Sequence, residues 1–299
     1  MKETKRQFSL FSFYDRTGME KHLEAMARKG WLLESISPFG WRYRAIPPQS
    51  LRFSVSFLPL SSPFAPEPTP AQEAFQELTC HDGWTLAASN EFYHVFYHQE
   101  AQPPTPMETD PLLERETIHR VVRKRVLPFY FFLLVLSFLF GGSFCYTLLT
   151  HPWDLWAQPK DFLTGSCFLC LFLYLAAELL GYYQWRKKAL LAGEAGEFLP
   201  TKGHNTLLLC LLFYAAGSFL LWLVLLATPG LRYYMLAYLV CYLVIIGAAY
   251  RLRVLMKRRR VHAQVNLTLT MVLIILLSFG MTALLFALLS LLHRQGVAF

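Results

Sequence analysis

The chain has 299 residues, of which 55% are hydrophobic and only 16% charged, a composition too apolar for two soluble domains. Its net charge of +8 would suit a nucleic-acid-binding protein, but the first 100 residues carry ten Lys or Arg against eleven Asp or Glu. A basic nucleic-acid-binding domain is therefore disfavoured, because it needs clustered positive charge on the folded module itself. Five of the six cysteines fall in apolar runs and are typical of small core residues rather than of a disulfide framework.

The first 100 residues predict a duplicated strand-helix-strand-strand unit. The first predicted helix begins with a capping box at Thr17 and Glu20 and ends at Gly30, a residue type that favours left-handed backbone. The second helix has Pro70 at its first position and ends at Gly83. We expect an α+β domain built as a ferredoxin-like sandwich, with both helices on one face of the sheet.

A change in composition near Asp110 divides the chain. Residues 1–100 are predicted to form the cytoplasmic α+β domain, and residues 101–126 a Pro-rich linker followed by a basic juxtamembrane helix. Asp110 and Pro111 are typical of the start of that helix. Residues 127–299 are predicted to form a membrane domain.

Five apolar segments are long enough to cross a hydrocarbon core of about 30 Å, which takes about 20 residues of helix. They are 127–149, 162–184, 205–227, 231–250 and 266–292. Because a helix satisfies its own backbone hydrogen bonds in lipid, we expect an all-α transmembrane bundle of five helices.

The distribution of Lys and Arg between these segments indicates their orientation. Fifteen basic residues fall on the side of the N-terminus, and three fall on the other side, namely Lys160, Arg232 and Arg294. The positive-inside rule therefore predicts a multi-pass protein of the cell membrane with a cytoplasmic N-terminus and a C-terminus outside.

Three segments of the N-terminal region resemble a known family. They are FSFYDRTGMEKHLEAMARKGW, the hairpin rich in Tyr and Arg together with LRFSVSF, and the second helix ending in GW. Over residues 6–98 the chain resembles the N-terminal domain of the bacterial family called domain of unknown function 2812. Members of that family are often encoded beside PadR-like transcription regulators, so the resemblance implies a regulated membrane component. It supplies no catalytic residues.

Glu178 is the one acidic residue deep in a predicted span. A carboxylate there costs about 2.5 kcal/mol or more, and an ionisable residue inside a membrane is by default a functional candidate. One interpretation is a proton or cation site lined by other spans. The other is a carboxylate held by Tyr182, Tyr183 or the snorkelling Arg186.

Four aromatic residues of the N-terminal domain are candidates for a ligand pocket between the repeats, namely Trp31, Trp41, Tyr43 and Trp84. Packing in the core explains them at least equally well, because Trp31 and Trp84 follow the ends of the two predicted helices.

A basic run follows the fourth predicted span and consists of Lys257, Arg258, Arg259 and Arg260. Such a run binds anionic lipid headgroups with about 1 kcal/mol per basic residue. The positive-inside rule accounts for the same residues without lipid recognition. Asn266 begins a glycosylation sequon, but the predicted topology places it in the cytoplasm, where this modification does not occur.

No metal site and no cofactor are expected. Cys167 and Cys170 form a C-x-x-C pair that lacks both a second ligand pair and a thioredoxin-like context. His94 and His98 project from the same face of a predicted strand, but a metal site needs a third ligand. A solvated sheet face is the preferred interpretation of the two histidines.

The sequence has no phosphate-binding loop, nucleophile elbow or zinc-protease helix, so we expect no catalytic residues. The leading hypothesis is a non-enzymatic sensor or regulatory component whose cytoplasmic domain binds a protein or a small molecule. The alternative is a small transporter or accessory permease subunit that uses Glu178, and a third is a membrane-embedded lipid enzyme. Membrane lipids are the expected partners, with a cytoplasmic protein or a second copy of the chain left open, and nucleic acid is not expected.

Overall fold

The computed structural model describes residues 4–37, 40–57, 64, 66, 69–90, 93–99, 110–153, 159–201, 203, 206–226 and 229–294. The predicted Pro-rich linker lies mostly outside these described residues. The chain forms two compact units. The first contains Met1–Ser61, Pro70–Leu136 and Phe172–Cys210, and the second contains Ser62–Thr69, Ser137–Leu171 and Leu211–Phe299.

The described N-terminal part contains six strands and two helices. The strands are β1 Thr4–Gln7, β2 Trp31–Ser37, β3 Gly40–Ala45, β4 Arg52–Phe57, β5 Thr85–Ser89 and β6 Tyr93–His98. The helices are α1 Arg16–Arg28 and α2 Pro70–His81. Gly30 and Gly83 follow the two helices with φ values of 81° and 86°, so both helices end at left-handed glycines as predicted.

The strands form two three-stranded antiparallel sheets with the same topology. The strand order is β1-β3-β2 in the first sheet and β4-β6-β5 in the second, so the predicted duplicated element order is present. The edge strands β2 and β5 are close neighbours. Each has a register shift at its middle, between Leu33 and Ser35 and between Leu86 and Ala88, and such a bulge disrupts the regular hydrogen-bonding edge. The ferredoxin-like sandwich is not confirmed, because the strands belong to two sheets.

The start of α1 differs from the prediction. Its N-cap is Asp15, whose side chain accepts a hydrogen bond from the backbone N–H of Gly18 at 2.9 Å. The predicted capping box of Thr17 and Glu20 is wrong, because the N–H of Thr17 donates to Thr201 Oγ1 and Glu20 accepts an N–H from β4. Asp is at least as good an N-cap as Thr. Thr17 and Glu20, which a capping box would pair with each other, instead bond to Thr201 and to Val55 of β4.

One hydrophobic core runs through the first unit. Helix α1 contributes Met19, Leu23, Met26 and Ala27, which recur on one helical face. Six further core residues lie beyond the α+β part of the sequence, namely Ile118, Val121, Val122, Tyr182, Trp185 and Ala189. The core of the sheets is therefore continuous with residues of the predicted juxtamembrane helix and of the second predicted span.

The rest of the described chain is mostly helical. The helices are α3 Pro111–Val121, α4 Leu127–Thr150, α5 Pro159–Glu194, α6 Thr206–Leu226, α7 Pro229–Arg258 and α8 Ala263–Arg294. As predicted, Asp110 and Pro111 mark the start of α3, and the side chain of the N-cap Asp110 accepts a hydrogen bond from the N–H of Leu112 at 2.8 Å. A π-helical turn over Val122–Val126 joins α3 to α4, so the juxtamembrane helix continues into the first apolar helix.

Four stretches of helix in the described residues are long and apolar enough to cross a membrane. They are Pro111–Thr150, Asp161–Glu194, Tyr238–Arg258 and Ala263–Leu284. Helix α6 is apolar as well. Its side chains are described only over Leu207–Leu221, a stretch shorter than the other four. The helices thus identify a membrane protein, while the bundle of five spans is not confirmed.

Candidate functional site

The loop that joins β1 to α1, residues 8–15, contacts α5, and we call it the entry loop. Ser12 Oγ donates a hydrogen bond to Glu178 Oε1 at 3.2 Å, and both side chains are buried. Glu178 is only 4% exposed. The sequence predicted partners for Glu178 from the membrane helices, whereas this donor comes from the N-terminal α+β part, 166 residues away in sequence.

Asp15 connects the entry loop to the segment that follows α5. Besides capping α1, its buried carboxylate accepts a hydrogen bond from Thr201 Oγ1 at 2.9 Å. Thr17 and Thr201 also exchange two hydrogen bonds, each N–H donating to the other hydroxyl at 2.9 and 3.1 Å. Because a carboxylate acceptor makes roughly twice as strong a hydrogen bond as a neutral one, this group of bonds fixes the N-terminus of α1 against Thr201.

Arg16, the first residue of α1, reaches α3. Its Nη1 lies 2.8 Å from Glu114 Oε1, and both side chains are largely buried. Removing one partner of such a pair leaves the other charge poorly solvated, so the pair holds the two helices in one relative position.

Helix α3 also bonds directly to α5. His119 Nδ1 and the hydroxyl of Tyr182 lie 2.7 Å apart in the interior of the first unit. Arg115 Nε donates to the backbone carbonyl of Arg186 at 3.1 Å. The entry loop, α3 and the C-terminal half of α5 thus form one polar junction.

Aromatic rings surround this junction. Phe13 of the entry loop packs against Tyr130 and Tyr182, with centroid distances of 5.1 and 5.4 Å. Tyr14 packs against Tyr182 and Trp185 at 5.3 and 5.5 Å. These ring contacts exclude water, and a hydrogen bond in a low-dielectric surrounding is electrostatically stronger than one in water.

A cavity of about 500 Å³ lies beside the junction. Its buried wall includes Ser12, Tyr14, Glu178, Trp185 and Thr201, and its exposed residues include Lys21 and Lys188. The volume falls within the range of roughly 300–1,000 Å³ that small-molecule sites occupy. Hydrogen-bonding groups, an aromatic wall and two ammonium groups suit a small molecule that carries an anionic group.

Burial, together with the carboxylates of Glu178 and Asp15, raises the pKa of Tyr14 to about 12. The Tyr14 hydroxyl therefore keeps its proton at neutral pH and presents a neutral hydrogen-bonding group to the cavity.

The sequence did not identify Ser12, Asp15 or Thr201 as site residues. Asp15 had a local signal, because Asp directly before an amphipathic helix is a preferred N-cap. Ser12 and Thr201 had none, since their importance comes from partners more than 160 residues away.

The four aromatic residues predicted to share a ligand pocket have different surroundings. Trp31 lies under the Lys5 ammonium, Tyr43 bonds to His22, and Trp84 packs against His98. Trp41 lines a cavity of about 200 Å³, which the other three do not line. That volume is smaller than that of most small-molecule sites.

The predicted basic run lies at the end of α7 and in the turn to α8. Lys257 is buried, whereas Arg258, Arg259 and Arg260 are exposed. Arg260 has a φ of 55°, the left-handed conformation of a helix-ending residue. The geometry leaves the three arginines accessible for lipid contact and makes Lys257 part of the protein interior.

His94 does not lie on a solvated sheet face, contrary to the preferred interpretation. Its ring is 2% exposed and stacks on Phe75 of α2 with a centroid distance of 6.5 Å, because α2 covers this side of the sheet. His98 on the same face packs against Trp84. In the described part of the chain, no group of three His, Cys, Asp or Glu side chains is arranged to hold a metal ion.

Cys167 and Asn266 belong to the second unit. Cys167 Sγ donates to the carbonyl of Ala215 at 3.2 Å, the behaviour of a packed core thiol. Asn266 is fully buried, and its Nδ2 donates to the carbonyls of Phe64 and Arg253 at 3.1 and 3.2 Å. From the sequence, Asn266 was interpreted only as part of a glycosylation sequon that is not used. In the structure its buried side chain is hydrogen-bonded to two separate backbone segments.

These features define a membrane protein with a small duplicated α+β region that is packed on its own helices. Residues 15–131 match the family described as "Protein of unknown function (DUF2812)". The match confirms the resemblance to this family. It begins at residue 15 rather than at residue 6, and it extends past residue 98 through α3 and the π-helical turn into α4. Comparisons with curated proteins and with solved structures gave no match.

Proposed function

We propose that the chain is a non-enzymatic sensor or regulatory component of the membrane, in which the N-terminal part receives a signal and α5 transmits it. The observation that carries the proposal is the buried hydrogen bond from Ser12 to Glu178, with the Asp15–Thr201 bond beside it. A loop that is hydrogen-bonded to a buried acid of an apolar helix cannot move without changing that acid's surroundings. Such a connection is a physical means of coupling the two regions.

The cavity of about 500 Å³ supports a small-molecule signal over a protein signal. Lys21 of α1 and Lys188 of α5 line it together with Glu178, so a ligand there touches both sides of the junction. A ligand shifts the equilibrium between two conformations only by its difference in affinity for them. A site that spans the junction meets this condition, because rearranging the entry loop changes the cavity wall.

In this proposal the helices keep the predicted topology of five spans and a cytoplasmic N-terminus. Support comes from the fifteen basic residues on one side against three on the other, and from the four described stretches of helix that are long enough to cross a membrane. The cavity then opens on the cytoplasmic side.

Hydrogen–deuterium exchange of the full chain in lipid nanodiscs tests the coupling. Ser12→Ala is expected to speed exchange both in the entry loop and in α5 around Glu178, because the lost hydrogen bond joins the two. Ser9→Ala is the matched control, since Ser9 belongs to the same loop and its hydroxyl lies 3.4 Å from His22 rather than near α5. Faster exchange confined to the entry loop in Ser12→Ala contradicts the proposal.

The alternative, a transporter that uses Glu178, draws on the same buried carboxylate and cavity. Ion flux in proteoliposomes separates the two functions. A transporter loses flux in Glu178→Gln, whereas the regulatory proposal predicts no flux in either form. Flux that is present and unchanged in Glu178→Gln removes the transport role of this residue.

A further inference from the structure

The position of the lipid interface on the first unit follows from the helix that runs through α3 and α4. Arg123 and Lys124 are exposed in the π-helical turn, and the next exposed residues are Pro128 and the aromatic Phe129, Phe131 and Phe132. Cationic side chains mark the headgroup level and exposed phenylalanines mark the apolar side of it. The boundary between headgroups and acyl chains therefore lies between Lys124 and Phe129.

The entry loop lies at the level of this boundary. The Phe13 ring is 5.1 Å from that of Tyr130, the residue directly after Phe129. Ser9 and Phe11 line the cavity of about 200 Å³ together with Val126. The loop is thus placed beside the start of α4 by the ring contact of Phe13 and by the cavity that it shares with Val126.

Alternate residues of the loop face opposite ways. Ser9 Oγ lies 3.4 Å from His22 Nε2, and the Phe11 ring packs on Trp41 with a centroid distance of 5.2 Å, so these residues face the core. Phe8 and Leu10 face away from it and are 66% and 37% exposed. Two apolar side chains are therefore presented outward beside the first turns of α4.

We infer that Phe8 and Leu10 insert into the lipid bilayer at the boundary of headgroups and acyl chains, as an anchor of the entry loop. Two observations select a phospholipid surface as the occupant. The loop packs on Tyr130 of α4 next to exposed Phe129, and exposed Arg6 of β1 lies two residues before Phe8, which suits anionic headgroups. Apolar side chains flanked by basic ones are the pattern of interfacial membrane segments.

Photocrosslinking in the full chain tests this inference. Phe8 is replaced by p-benzoylphenylalanine, which preserves an aromatic side chain, and the protein is placed in nanodiscs of phosphatidylcholine and phosphatidylglycerol. Leu78 of α2 is the matched control position, because it is 63% exposed but makes no part of the entry loop. Burying one phenylalanine side chain favours the inserted state by about tenfold or more, so mass spectrometry should find about that excess of phospholipid adduct at position 8.

The inference is overturned if phospholipid adducts are equal at the two positions, if position 8 gives none, or if it crosslinks to a second copy of the chain instead. Leu10→p-benzoylphenylalanine repeats the test in case the first variant does not fold. An excess of lipid adduct at position 10 supports the inference, and its absence there overturns it.

Discussion

The two repeats of the N-terminal part have the same topology but exchange the types of two core residues. In the first, His22 on α1 faces Trp41 on β3, with centroids 6.1 Å apart. In the second, the aromatic Phe75 lies on α2 and faces His94 on β6 at 6.5 Å. Phe75 occupies the position of His22 in the second repeat, and His94 occupies that of Trp41, because each lies as far along the chain from its counterpart as Gly83 lies from Gly30. At this place both repeats pack an imidazole against an aromatic ring, and the imidazole comes from the helix in the first repeat and from the strand in the second.

The exchange changes the hydrogen bonding of the histidine. His22 Nε2 lies 3.1 Å from the Tyr43 hydroxyl. The position equivalent to Tyr43 in the second repeat is Phe96, which has no hydroxyl. Neither ring nitrogen of His94 has a hydrogen-bond partner among the described residues. The second repeat therefore contains a buried imidazole that is destabilising when charged, whereas the first gives its imidazole a partner.

The loops from strand to helix also differ between the repeats. The first is the entry loop, which bonds through side chains to Glu178 and Thr201. The second is described only at single residues, of which Phe64 offers a backbone carbonyl to Asn266 on α8. The contacts of the entry loop therefore depend on the side chains at Ser12 and Asp15. The contact of the second loop uses a backbone carbonyl, so Asn266 is the side chain on which it depends.

The largest expected effect comes from Asp15→Ala in the first repeat. This change removes both the cap of α1 and the acceptor of the Thr201 hydroxyl, and we expect a loss of about 4 kcal/mol in the free energy of unfolding. Chemical unfolding of the purified protein in detergent measures it. Asp82→Ala, at an exposed position after α2, is the control and should cost less than about 0.5 kcal/mol. Equal effects of the two changes would show that the Asp15 bonds contribute little.

His94 should make stability depend on pH. Burial lowers its pKa from 6.5 to about 4, so between these values the unfolded chain binds a proton that the folded chain does not. Stability is then complete above pH 6.5 and falls as the pH drops towards 4, by a total on the order of 3 kcal/mol. Thermal unfolding at a series of pH values measures the slope. His94→Phe should flatten it over this window, and an unchanged slope in that variant assigns the pH dependence to other groups.

Asn266→Ala tests the contact of the second loop. The buried amide donates to two carbonyls, so its removal should cost about 2 kcal/mol. Thr268→Ala is the matched control, because Thr268 is exposed on the same helix and should be nearly neutral. Thermal stability in detergent distinguishes the two variants, and similar melting temperatures would contradict a structural role for Asn266.

Tyr43→Phe should have the smallest effect of the four. It makes the first repeat resemble the second by removing the hydroxyl beside His22, at a cost of about 1 kcal/mol. Tyr97→Phe, at a half-buried position on β6, provides the comparison. Thermal unfolding at pH 7 measures both, and a Tyr43→Phe protein as stable as the parent would mean that His22 gains nothing from its partner.

The parts of the fold that local signals specify could be predicted from the sequence. Gly30 and Gly83 indicated both helix ends, Pro70 indicated a helix start, and the lengths of the apolar runs indicated the membrane-capable helices. The division into two sheets could not be predicted, because it accompanies bulges at the middle of β2 and β5 that leave no mark on hydrophobic alternation.

The candidate site could be predicted only in part. Glu178 was identified, because a carboxylate in an apolar run is conspicuous and costly. Its donor Ser12 was not identified, since the two lie 166 residues apart and no periodicity connects a loop to a distant helix. His94 was assigned to a solvated face because alternation along a strand separates two faces but does not say which one a helix covers.

The most direct test of the coupling between the entry loop and α5 is a double-mutant cycle of Ser12→Ala and Glu178→Met in the full chain, because Met offers Ser12 no carboxyl oxygen as acceptor. The free energy of unfolding is measured for the parent, each single variant and the pair. Because the two side chains share one buried hydrogen bond, we expect an interaction energy of about 1 kcal/mol. Effects that add within about 0.3 kcal/mol would contradict the account, since they would mean that the loop and the helix are energetically independent.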